Sequence, residues 1–94
     1  MKLKLAITDA YKQLAEDISL LIKNYPTIEF EYFNEEIFKE RKKAFALKNE
    51  WGTRMAPFAV LVDNEKNPIY AFYSERQECT LEKIKSILNS YIVY

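Results

Sequence analysis

The chain has 94 residues, 49% of them apolar and 30% charged, with 14 basic side chains balanced by 14 acidic ones. This describes one compact globular domain with no net field to draw it to nucleic acid or an anionic membrane. It contains no histidine, one cysteine and one glycine, which excludes Cys/His zinc sets, Ser-His-Asp and Cys-His nucleophile systems, and glycine-rich phosphate loops.

Leu3, Leu5 and Ile7 alternate with Lys2, Lys4 and Ala6, which predicts a short first strand. Lys4 cuts the apolar stretch and Asp9 ends it, so the start is too short for a signal peptide. From Thr8 the period changes to that of a helix, with Tyr11, Leu14, Ala15, Ile18, Leu21 and Ile22 on one stripe. Thr8 or Asp9 is the expected N-cap, and Pro26 lies beyond the end.

Residues 27–33, TIEFEYF, alternate again, Ile28, Phe30 and Tyr32 against Glu29 and Glu31. Two glutamates on one face predict a half-exposed edge strand. Asn34 is the expected cap of a second helix, with Glu35 and Glu36 in its first turn. Ile37, Phe38, Arg41, Ala44, Phe45 and Lys48 are expected on one side of it, a less cleanly amphipathic pattern than that of the first helix, and Gly52 is a natural stop.

Phe58 to Val62 has no polar alternation, the pattern of a strand covered on both faces. Asp63–Pro68 is turn chemistry and Ile69–Ser74 a further strand, so the two form a hairpin. Thr80 is placed to cap a last helix whose Leu81, Ile84, Ile87, Leu88 and Tyr91 share one face. The order is βαβ, then α, then ββα. It predicts a single α/β domain over residues 1–94, with a four-stranded mixed sheet in which the first helix makes a right-handed crossover.

Pro57 stands directly against the buried run, in the series Trp51, Gly52, Thr53, Arg54, Met55, Ala56, Pro57. This series, with the element order around it, resembles the thioredoxin-like superfamily, in which an aromatic-Gly-aliphatic-Arg segment and a cis-proline lead into the third core strand. The resemblance covers essentially the whole chain and implies helices on both faces of the sheet. It also implies a cis Ala56–Pro57 bond that leaves the Ala56 main chain facing a groove, where the family pairs an extended peptide or glutathione.

The family's C-x-x-C falls on Thr8, Asp9, Ala10 and Tyr11. Both cysteines are replaced, and dithiol exchange by the family's route is unavailable. The resemblance therefore implies a redox-inactive binding or adaptor module, with no catalytic residues and no cofactor, that holds a protein or peptide partner at Thr8, Asp9, Tyr11, Met55, Ala56 and Pro57. Its residues also have plainer readings, Thr8 and Asp9 as an ordinary helix cap and Tyr11 as a packing residue.

Two alternatives stand beside it. One is a glutathione- or thiol-linked protein acting through Cys79, just before the last helix. The other is a structural interaction subunit that uses the chain's many aromatic residues. Lys39, Arg41, Lys42, Lys43 and Lys48 read as a solvated helix face and not a nucleic-acid patch, and Asp63, Asn64 and Glu65 as a turn and not a metal loop. A single thiol fits a reducing, cytoplasmic setting, and no apolar run approaches the ~20 residues of a membrane span.

Overall fold

Four segments with strand periodicity lie side by side in the computed structural model, which describes residues 1–91. The elements are β1 (Lys2–Ile7), α1 (Lys12–Ile22), β2 (Glu29–Asn34), α2 (Phe38–Glu50), β3 (Phe58–Val62), β4 (Pro68–Phe72) and α3 (Leu81–Tyr91). The sheet order is β2-β1-β3-β4. β1 runs parallel to β2, which the α1 crossover permits, and antiparallel to β3; β3 and β4 form the hairpin.

Alternation along the strands builds two cores. Leu3, Leu5, Ile7, Ala59, Leu61 and Phe72 meet Ala15, Ile18 and Ile22 of α1 and Ile84 and Leu88 of α3 on one face. Ala6, Phe58 and Val60 meet Ala44 and Leu47 of α2 on the other. Helices therefore cover both faces, and β3, with Phe58 to Leu61 all buried, is the doubly covered strand that its sequence predicts. Each large side chain in these layers stabilises the fold by roughly 1.5–3 kcal/mol. β2 lies at a sheet edge with Glu29 exposed and Glu31 paired to Lys2 at 3.2 Å, as its charges predict.

The helix ends follow local chemistry, not always where expected. The Lys83 N–H donates to Thr80 Oγ1 at 3.2 Å, so Thr80 does cap α3. Replacing it with Ala is expected to cost about 1 kcal/mol, read as a shift in the urea midpoint. α2 closes with a paired C-terminal motif in which the Thr53 N–H donates to the Lys48 carbonyl and the Gly52 N–H to that of Asn49. Gly52 sits at φ +71, a conformation cheap only without a Cβ.

Two cap expectations are corrected. Neither Thr8 nor Asp9 caps α1: a 3-10 turn over Asp9–Tyr11 intervenes, and no side chain caps either helical start. Asn34 is the buried last residue of β2 and not a helix cap; its Oδ1 accepts the Glu36 N–H at 2.9 Å, while α2 begins four residues on behind Ile37. The same short polar side chains satisfy turn N–H groups and helix N–H groups, so residue type does not separate the two uses.

The face assigned to α2 is corrected as well. Phe38 is 85% exposed and Phe45 also lies outside, whereas Ala44, Leu47 and Lys48 are buried. Phe58 and Val60 fill the space from the sheet side, so the helix needs only small or slender side chains there. Lys48 is not part of a solvated basic face. Its Nζ lies 2.8 Å from Glu35 Oε1 and 4.7 Å from the centre of the Phe45 ring.

Candidate functional site

Ala6 is the last residue of β1 paired with β3, opposite Phe58. Continuing that antiparallel register carries Thr8 and Ala56 to the same end of the sheet, just outside the ladder. The sequence separated these groups by almost fifty positions, and the fold returns them to one place. The Ala56–Pro57 bond is cis. Pro57 is buried, Ala56 is half-buried, and Met55 is 49% exposed.

The segment that carries Ala56 is held from several directions. Lys48 Nζ donates to the Arg54 carbonyl at 3.3 Å. The Thr53 hydroxyl is shared between the two carboxylate oxygens of Glu75, at 3.0 and 2.9 Å, and accepts the Met55 N–H at 3.2 Å. The Tyr73 hydroxyl donates to the Trp51 carbonyl at 2.8 Å. Among the described residues the Ala56 N–H makes no hydrogen bond within the chain. An amide held in position without a partner is a free donor for something else.

On the β2 side the neighbouring groups are tied to one another. Asp9 Oδ1 accepts from Asn34 Nδ2 at 2.8 Å and lies 3.6 Å from Lys12 Nζ, while the Asp9 N–H donates to Glu36. The Asn34 bond, with Lys12 assisting, holds the Asp9 carboxyl below its ordinary value. The Asn34 N–H is taken by Glu40 Oε1 at 3.0 Å. Ile7, Lys12, Tyr32 and Ile37 line a shallow cleft of about 400 Å³ beside this network.

No family model matches the chain, and no curated protein or solved structure matches it.

Of the residues picked from sequence, Thr8 and Asp9 thus stand at the same sheet end as Met55, Ala56 and Pro57, with Asp9 committed to Asn34. Tyr11 is 38% exposed at the front of α1. It is off the buried stripe and open to a ligand. No hydrogen bond couples the Thr8 side chain to a base among the described residues; this end of the sheet offers donors, acceptors and apolar surface.

Cys79 lies elsewhere, 6% exposed in the α1/α3 core. Burial pushes its thiol up to about 12. Sequence reasoning missed Lys48, Glu75 and Asn34 as supports of the two walls of the candidate site; Glu75 and Asn34 act on residues more than twenty positions away, and Lys48 reaches the Arg54 carbonyl six residues on only because the chain turns back at the end of α2. No group of three or more metal-ligating side chains occurs among the described residues, and none of their helices is long and apolar enough to cross a membrane.

Proposed function

We propose that the chain is a thioredoxin-like binding module that holds an extended peptide of a protein partner along the main-chain edge at Met55–Ala56, beside the front of α1. The strand order β2-β1-β3-β4, with α1 and α3 on one face and α2 on the other, supports that kinship. So does the Trp51–Pro57 series at the entry to β3.

The observation that carries the binding role is the unpartnered Ala56 N–H on an anchored segment. An extended peptide supplies the missing carbonyl, and because the segment is already fixed, little ordering entropy is lost on contact. Tyr11 and Met55, both exposed, offer surface for the peptide's side chains.

The test is a random-peptide panning experiment followed by amide NMR. Peptides that bind should shift the Ala56 amide and the amides of residues 8–11. Ala56→Pro, which removes the donor, should weaken them by about tenfold or more while circular dichroism stays native. Binding that survives Ala56→Pro unchanged overturns the assignment.

One specific observation favours a second reading, an interaction subunit. Tyr32, Ile37 and Phe38 are all exposed near the junction of β2 and α2. A face of this kind works through burial of apolar area and not through the Ala56 edge. Phe38→Glu separates the two readings, because it should abolish association through that face and leave peptide binding at Ala56 intact.

A further inference from the structure

α2 covers only part of its face of the sheet. It ends at Glu50, and its last buried apolar residue is Leu47. Past that point the face is open, at the end of the sheet opposite Ala56. Lys2 and Lys4 of β1 and Val60 and Val62 of β3 form the floor of a cleft of about 760 Å³ there. Trp51 stands on one side and the β3–β4 hairpin on the other. That volume falls within the ~300–1,000 Å³ range of small-molecule sites.

Lys4 is the unusual member. β1 has a strand on each side, and Lys4 is half-buried between Glu31 and Val60, a place where an apolar residue would cost less. Its register neighbour Glu31 is engaged by Lys2 at 3.2 Å. No carboxylate lies within ion-pair distance of Lys4 among the described residues. Asp63 on the hairpin side turns its Oδ1 into its own loop, where it accepts the N–H groups of Glu65 and Asn67, both at 2.9 Å. The remaining acids that line the cleft, Glu29 and Glu50, are exposed. The floor therefore presents a cation set among valines, with a tryptophan at the side whose main chain is fixed by Tyr73.

We propose that this cleft binds a small planar ligand bearing one carboxylate. The flat apolar body lies over the half-buried Val62 against Trp51, and the carboxylate accepts hydrogen bonds from Lys4. A charge-assisted bond in a half-buried setting gives selectivity for the anion over a neutral analogue of the same shape. The site is separate from the Ala56 edge and does not depend on it.

Trp51 is the only tryptophan in the sequence, so its fluorescence reports occupancy directly. Titration with 1-naphthoate should give saturable quenching, and 1-naphthylmethanol, similar in shape but uncharged, should bind about tenfold more weakly or worse. Lys4→Met, which keeps the length of the side chain, should weaken naphthoate to the level of the alcohol; if that variant fails to fold, Lys66→Met on the rim should lower naphthoate affinity by a smaller factor. Non-saturable quenching, equal affinity for acid and alcohol, or undiminished naphthoate binding by the folded lysine variant overturns the proposal.

Discussion

Removing the carboxylate of Glu35 is expected to destabilise the fold by roughly 3–5 kcal/mol, because it strands a buried ammonium. Lys48 is only 2% exposed, and its charge is answered by Glu35 at 2.8 Å, with the Arg54 carbonyl a weaker second partner at 3.3 Å. The measurement is urea unfolding of Glu35→Ala. Adding Lys48→Met to that variant should recover most of the loss, since an apolar side chain then replaces the orphaned charge among Ala44, Leu47 and the sheet. A Glu35→Ala midpoint close to wild type would show that Lys48 finds water or another acceptor. The double variant also bears on function, because Lys48→Met removes the Lys48–Arg54 bond, one of the ties on the segment carrying Ala56, and peptide affinity should fall even where the protein remains folded.

The second large effect concerns Cys79. Burial raises its thiol from 9.0 to about 12, which lowers the thiolate population near neutral pH by about a thousandfold relative to an unburied thiol. Native protein should therefore react with an aromatic disulfide reagent at least that much more slowly than protein unfolded in urea. Equal rates in the two states would favour the thiol-linked reading. The same shift has a signed effect on stability. The folded state holds this proton more tightly than the unfolded one, so the contribution is complete below pH 9 and is lost as pH rises from there toward 12.

Sequence alone revealed much of the architecture and less of the site, for reasons visible at particular residues. The alternation in residues 2–7, the unbroken apolar run at 58–62 and the glutamates of β2 each report how many faces a strand buries, and all three match the observed sheet. Thr80 was legible because a free Thr just ahead of a clean amphipathic helix has one natural use. Thr8 and Asn34 were misread because both precede helices by a short turn, and that turn supplies its own competing N–H groups. Phe38 and Phe45 were misread because apolarity marks burial only when the opposing surface leaves room, and here Phe58 and Val60 occupy it; Lys48 was read as part of a solvated face because its partner Glu35 lies thirteen residues away. At the candidate site, the cis Ala56–Pro57 bond is the feature that the Trp51–Pro57 series led one to expect. The Thr53–Glu75 and Asp9–Asn34 bonds join residues more than twenty positions apart, and composition carries no trace of such pairs.

β1 is bonded to β2 on one side and to β3 on the other. It is the seam between the βαβ portion and the hairpin-helix portion, and its Leu3, Leu5 and Ile7 lie in the same layer as α1 and α3. Neither portion can detach while the other keeps its full complement of neighbours. The molecule should accordingly melt as one cooperative, all-or-none unit, with no half-folded species populated between its ends.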